Sequence, residues 1–414
     1  MSDRQTTGRM IVVLGGPQGT DAVADLRQIA GITRVASTTD FSEQAVDMAD
    51  VASAEATVYA ELGVAVVAAD ADQTAALRAD VGRRIVAVEP ELILYARGAD
   101  GSPDYVRGYR DGVTDLSARL TSEGDATRAL QSYSDTDAYT WGLQAVGVDR
   151  TTVTGAGSKV AVLDTGFTFD HPDFAGRTIT SQSFVAGEEP ADGQGHGTHC
   201  VGTITGPAAP AGSRRYGVAP DVDIHVGKVL GNNGSGSDAG ILAGINWALA
   251  SGCQVVSMSL GANVREPSAA YERVGSRALA AGTLIVAAAG NNAKRPDDPG
   301  FVGVPANSPS IMAVAAVDHD LQVAPFSAAG TTVEGGQIDV AAPGVDVYSS
   351  WLLPQMYNTI SGTSMATPHV AGLAALWHQQ SGATGRDLWT LLTQHARRLG
   401  ATSQDVGSGL CLAP

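Results

Sequence analysis

Asn358-Thr-Ile-Ser-Gly-Thr-Ser-Met-Ala-Thr-Pro-His-Val-Ala-Gly372 sets Ser364 between a tight, glycine-containing approach and an apolar helix running through Val370, Leu373, Ala374, Leu376 and Trp377. A serine in the first turn of a helix has unpaired backbone N–H groups around it and the positive end of the helix dipole beneath it. That suits a nucleophile whose reaction generates a negative oxygen. It equally suits a plain helix cap, a position where Ser and Thr are preferred anyway. The segment alone reads as a cap, and other parts of the chain must decide.

Around it the pattern is regular. Apolar strand candidates at 159–163, 224–229, 255–260, 283–288, 311–317 and 338–341 alternate with helix candidates at 196–204, 238–250, 268–281, 365–380 and 386–397. Continuous apolar strands between helices predict a parallel sheet covered on both faces. In such sheets active sites gather at the carboxyl ends of the strands. Val160-Ala-Val-Leu-Asp164-Thr-Gly166 is an apolar strand ending in an acid and a glycine turn, and Gly193-Gln-Gly-His196-Gly-Thr-His199-Cys200 puts a histidine at a helix start. Each is a weak signal by itself. Together with Ser364 they supply an orienting carboxylate, a general base and a nucleophile.

Asp164-Thr-Gly166, His196-Gly-Thr-His199 and Gly362-Thr-Ser364-Met-Ala-Thr-Pro-His369 resemble the three signature blocks of the subtilisin-like serine proteases, in that family's Asp, His, Ser order. The resemblance covers roughly 136–414 and implies an α/β, three-layer subtilisin-like fold with a mainly parallel sheet. It implies that Ser364 is the nucleophile, His196 the base and later acid, and Asp164 the group that fixes the imidazole. Asn291, in Ala287-Ala-Ala-Gly-Asn-Asn292, matches the oxyanion-hole asparagine, with the Ser364 N–H as second donor. Ser259, Leu260 and Gly261, with Gly234, Ser235 and Gly236, resemble the two segments that flank an extended peptide substrate. The segment 292–305, where the family forms the wall of its primary pocket, departs from small neutral residues at Lys294, Arg295, Asp297 and Asp298.

Other residues in these blocks have ordinary readings. His171, His199 and His369 read as structural, because the template needs one base. Asn292 reads as a turn residue. Cys200, one helical turn beyond His196, could pass for a thiol nucleophile were the serine block not complete; its place predicts inhibition by bulky mercurials. No cofactor is expected for the chemistry, but calcium is the family's usual structural ion. Asp173 matches an acidic ligand of a common site, whereas the partner loop 205–215 lacks asparagine-type ligands and carries two arginines. One carboxylate does not define a site for so oxygen-demanding a cation, so calcium stays unlocated.

The first hundred residues differ. A strand at 9–14, a helix at 20–30, strands at 32–36 and 64–69 separated by an Ala-rich segment, a helix at 72–81 and one or two strands in 84–96 give a β-α-β-β-α-β order. That is the order of a small ferredoxin-like domain, which says little about function unaided. Beside the family resemblance, 1–97 is expected to be a propeptide that acts as an intramolecular inhibitor. Residues 98–135 are expected to be an amphipathic helix and cleavable linker, cut somewhere in 121–140, and 136–414 the catalytic domain.

Composition sets the outer limits. At 414 residues, 44% hydrophobic and 17% charged, the chain can bury large cores and is comfortable as two domains. A net charge of −17 argues against a nucleic-acid partner. Three cysteines, Cys200, Cys253 and Cys411, without a CxxC pair exclude a zinc set and allow one bridge at most. About six apolar residues precede Gly15-Gly16-Pro17, too few for a signal core or a membrane span. The expectation is a monomer without a membrane partner, cytoplasmic as written, or extracellular if a leader was removed or another export route serves.

Overall fold

The computed structural model describes residues 5–15, 20–41, 44–96 and 132–414. The expected helix and linker at 98–135 lie almost wholly outside these residues, as does most of the 121–140 stretch.

Seven parallel strands form the central sheet. Their spatial order is Val340–Pro343, Met312–Val317, Leu284–Ala288, Val255–Met258, Lys159–Asp164, Asp223–Lys228 and Thr180–Ser183. All but the last are apolar and buried, as strands covered on both faces must be; the edge strand Thr180–Ser183 is polar and half-exposed, and its sequence gives no periodic signal. The helices His196–Thr205 and Thr363–Ser381 pack on each other and on the sheet, while Asp238–Ala250 and Ala269–Ala280 cover the opposite face. Asp238–Ala250 (DAGILAGINWALA) is apolar nearly all round, which a surface helix would not be. Its outer side is covered too, by the N-terminal unit.

That unit has an antiparallel sheet in the order Ile85–Ala96, Thr6–Leu14, Val64–Val67, Ala56–Tyr59, with Val35–Ser37 added in parallel at the edge. This is ferredoxin-like with one extra short strand. The strand expected at 32–36 is only this edge piece. The true partner, Ala56–Tyr59, and the helix Met48–Ser53 both come from the Ala-rich segment, where alanines conceal a fully buried four-residue strand. Strand alternation gives the sheet two apolar faces. Val12, Leu14, Val58, Ala65 and Val67 face the unit's own helices Thr20–Ala30 and Ala71–Ala79; Ile11, Val13, Tyr59, Val64 and Val66 join the large core around the parallel sheet.

The strand Ile85–Ala96 runs on beyond its own sheet. Ile93, Leu94 and Tyr95 pair antiparallel with Ser237, Gly236 and Ser235, and Tyr95 and Ala96 pair with Gly261 and Leu260. The Ala96 N–H donates to the Gly234 carbonyl at 3.0 Å. Leu94 is fully buried between the two flanking segments, a side-chain burial that contributes about 1.5–3 kcal/mol. Among the described residues no helix is long and apolar enough to cross a membrane, and all three cysteines are buried and free.

Candidate active site

Asp164 closes the strand Lys159–Asp164, and His196 opens the helix His196–Thr205. The glycines around them permit close approach. A Cβ on Gly197 would lie 2.3 Å from the Gly166 carbonyl oxygen, and one on Gly195 would strike the Trp351 ring at 2.5 Å. The strand end and helix start therefore meet, and His196 Nδ1 lies 2.7 Å from Asp164 Oδ1. Thr165 N–H donates to the same oxygen at 2.8 Å. Burial disfavours a charged imidazole at His196, but the adjoining Asp164 carboxylate outweighs it and holds the ring well above its usual 6.5. His196 Nε2 is buried with no hydrogen-bond partner.

Ser364 is the second residue of Thr363–Ser381, so its N–H has no carbonyl a turn earlier to bond. Its hydroxyl donates to the Ser259 carbonyl at 3.0 Å rather than to His196. Four residues on, Pro368 lacks the N–H that would take the Ser364 carbonyl. That carbonyl accepts instead from Ser259 Oγ at 2.8 Å and from the Cys200 thiol at 3.7 Å. The proline of the block thus opens a helix bond that anchors the serine from two other elements.

Asn291 accepts with its side-chain oxygen from Thr363 N–H and Thr363 Oγ1, both at 2.9 Å. The oxygen being fixed, the amide nitrogen of Asn291 is turned away from Thr363. Two contributors escaped the sequence reading. Thr363 was seen only as a neighbour of the serine. Asp192 accepts from Gln194 and Gly195 N–H, from Thr198 N–H and Oγ1, and from Thr165 Oγ1, all at 2.7–2.9 Å, joining the histidine's helix start to the aspartate's strand end. Burial alone would raise its pKa, but the N–H donors of Gly195, Gln194 and Thr198 hold it below the usual carboxylate range. An acid just ahead of a helix start was the available signal.

The three other histidines of these segments bond main chain: His199 Nε2 to Val347 O at 2.9 Å, His171 Nε2 to Met356 O at 2.7 Å and His369 Nδ1 to Met365 O at 2.8 Å. Burial lowers His199 to about 3 and His369 to about 4, so both are neutral. Cys200 Sγ lies 3.9 Å from His196 Nδ1, behind the ring, and burial raises its thiol pKa. Asp164, His196 and Cys200 have ligand-type atoms within 4.8 Å of one another. They do not fit zinc, because the ring nitrogen within reach of the thiol is already bonded to the carboxylate.

Gly234, Ser235, Gly236, Leu260 and Gly261 lie along one extended segment, the strand Ile93 to Ala96. Ser259 is buried, its side chain serving the Ser364 carbonyl. Of the charges in 292–305, Arg295 turns away to Asp405 at 2.6 Å, and Lys294, Asp297 and Asp298 are exposed on a turn. Asn292 donates to Phe301 O at 2.9 Å and accepts from its N–H at 2.9 Å, so it does shape that turn.

The profile of the subtilase family matches residues 155–409. Subtilisin Savinase of Lederbergia lenta is 41% identical over 275 residues, 65% of this chain and 95% of its own. Alkaline elastase YaB of Bacillus sp. (strain YaB) is 40% identical over 315 residues, 72% of this chain and 78% of its own. Subtilisin DY of Bacillus licheniformis is 41% identical over 223 residues, 54% of this chain and 77% of its own.

Proposed function

Since this chain belongs to the subtilase family and is a serine-type endopeptidase, we propose that Ser364, His196 and Asp164 are its catalytic triad and that residues 1–97 are its intramolecular inhibitor. The observation that carries the first part is the 2.7 Å contact of His196 Nδ1 with buried Asp164, which leaves Nε2 buried and unpartnered. In the reaction the Ser364 hydroxyl swings from the Ser259 carbonyl to His196 Nε2 and gives up its proton as Oγ attacks the scissile carbonyl. Asn291 Nδ2 and the Ser364 N–H receive the oxyanion. The imidazolium, held by Asp164, then protonates the leaving amine, and water repeats the sequence on the acyl-enzyme.

The inhibitor reading rests on the strand Ile93–Ala96, which runs antiparallel between Ser235–Ser237 and Leu260–Gly261 as an extended polypeptide substrate would. The register also bears on the cut. Ala96 stands opposite Leu260, and the next residue on that side, Ser259, carries the carbonyl that holds the Ser364 hydroxyl. A first self-cleavage just beyond Ala96 follows, ahead of any cut in 121–140. Three carboxyl groups add to the hold. Glu89 accepts from Ser268 Oγ at 2.6 Å and Ala269 N–H at 2.7 Å, at the start of Ala269–Ala280. Glu91, buried and paired with Arg9, accepts from Ala239 N–H at 2.9 Å, at the start of Asp238–Ala250. Asp238 accepts from the Leu92 N–H at 2.6 Å and from the Tyr271 hydroxyl at 2.7 Å.

The test is to express the wild type and Ser364→Ala, label both with a fluorophosphonate and sequence the N-termini of the products. Labelling and a new N-terminus shortly after Ala96 in the wild type alone are expected. Equal labelling of the two would sink the triad. Labelling without any cleavage would leave the triad standing and make residues 1–97 a permanent domain. A casein digest beside a peptide library separates a broad protease from one serving a single partner. Calcium remains the family's structural ion, not a participant in the chemistry. A cytoplasmic or extracellular site of action is decided by fractionating the source cells.

A further inference from the structure

Asp173 and the loop after Thr205 are the residues that the family resemblance offers as calcium ligands. Calcium takes about six to eight oxygens at about 2.3–2.6 Å, so the question of fit is whether these oxygens stand open. Other groups already hold one Asp173 oxygen and the carbonyls at the two ends of the loop. Asp173 Oδ2 accepts from the Tyr216 hydroxyl at 2.5 Å and from the Tyr357 hydroxyl at 3.0 Å. Arg177 spans the two ends of the loop, donating to Thr205 O at 2.5 Å and to Val222 O at 2.9 Å. Thr205 ends the helix His196–Thr205, where carbonyls lack internal partners and a positive charge is favourable.

Arg215 donates to Gly217 O at 3.1 Å and Val218 O at 3.0 Å, and Arg214 pairs with Asp135 at 2.9 Å. Tyr216, Tyr348 and Tyr357 pack ring against ring at 5.3–6.1 Å, and Tyr348 bonds Ser213 at 2.9 Å. The neck of the loop is shut by two glycines: a Cβ on Gly217 would lie 2.1 Å from the Gly206 oxygen. Arg177 lines the same cavity as Asp173, so a dication entering there would face a fixed guanidinium.

We propose that arginine and tyrosine side chains take the place of calcium at this loop, making its closure independent of metal. Arg177 and Arg215 satisfy the main-chain carbonyls as an ion would, and two phenols satisfy the carboxylate. The arrangement retains the loop's shape and removes its dependence on a dissociable ligand.

The experiment uses full-length Ser364→Ala protein, which cannot digest itself on the proposed mechanism, with Asp173→Asn, Arg177→Met or Arg177→Lys added. Thermal unfolding is followed in excess calcium and in EDTA. Arg177→Met should lower the midpoint by several degrees, equally in both media. Arg177→Lys, which keeps the charge but cannot reach two carbonyls in one plane, should fall between. Asp173→Asn should leave the calcium–EDTA difference, whatever its size, unchanged. The proposal is overturned if Asp173→Asn shrinks that difference, or if it removes a tyrosine-sensitised terbium emission present in its parent. Should Arg177→Met not fold, the lysine variant and the Asp173→Asn comparison decide the matter.

Discussion

Two pairs of helix starts, one pair on each face of the parallel sheet, use the same physics for opposite ends. At Thr363–Ser381 the dipole and the unbonded Ser364 N–H lie beneath the serine, while at His196–Thr205 the first N–H groups are held from within the same part of the chain, by Gln194, Thr165 and Asp192, and fix the histidine. At Asp238–Ala250 and Ala269–Ala280 they are filled by Glu91 and Glu89 of the N-terminal unit. On the proposed mechanism the serine's helix start keeps its N–H for a charge that develops in a transition state, whereas the second pair receives a charge that is already there. What separates the serine's helix start from the second pair is the supply of permanent acceptors. A start left without one can serve chemistry; one supplied with a carboxylate by another unit becomes a docking point, and one supplied from nearby in its own chain, as by Asp192, is held in place.

The contrast can be broken at either pair. The largest effect is expected from His196→Ala or Ser364→Ala: turnover on a peptide substrate should fall about 10⁶-fold, the loss typical of a subtilisin triad. In both the N-terminal unit should stay uncleaved, as the intact mass would show. Asn291→Ala should lower kcat by about 10²–10³-fold, as for the corresponding subtilisin donor, with KM little changed. A rise in KM alone would mean that Asn291 holds substrate, not oxyanion. At the other pair, Glu91→Gln should speed release of the processed N-terminal unit by about ten- to a hundred-fold, the worth of charged hydrogen bonds. The kcat of the released enzyme should not move, and any change there would link the two pairs.

Smaller effects come from pH. Burial pushes the Asp238 carboxyl up to about 7 while Leu92 covers it. A carboxyl raised in the complex binds its proton more tightly there, so its contribution is full below the exposed value. It is lost as pH rises toward about 7. Release of the N-terminal unit should therefore be several-fold faster near about pH 8 than near about pH 6, and Asp238→Asn should flatten that slope in stopped-flow or activity-lag measurements. On the catalytic side, Asp164 raises His196, and catalysis needs the neutral ring. The acid limb of kcat/KM should accordingly lie above 6.5, and a limb below that value would contradict the assignment.

Legibility in the sequence follows the same division. Asp164, His196, Ser364 and Asn291 could be read because each sits in a short block whose glycines and proline are forced by local contacts, such as Gly197 on Gly166. The alternation of apolar strands and helices gave the parallel sheet. Glu89, Glu91 and Asp238 could not be read, since their partners lie about 150–180 residues away. Ala56–Tyr59 was lost among alanines, and Thr180–Ser183 has no apolar face to announce it. Asp192 and Thr363 act on other side chains, so their roles appear only with distances in hand.

On the proposed self-processing, the two-faced sheet of the N-terminal unit gives activation a direction in time. Only one face, with Val12, Leu14 and Val67, is closed by the unit's own helices; Ile11, Val13 and Val66 are covered by the protease itself. Once severed and released, the unit must carry that bare apolar face in water, without the packing that the rest of the chain had supplied. Its chain then opens to the enzyme it had been blocking. On this reading the unit is better held while bound than after release, so departure favours opening and the step acts as a ratchet.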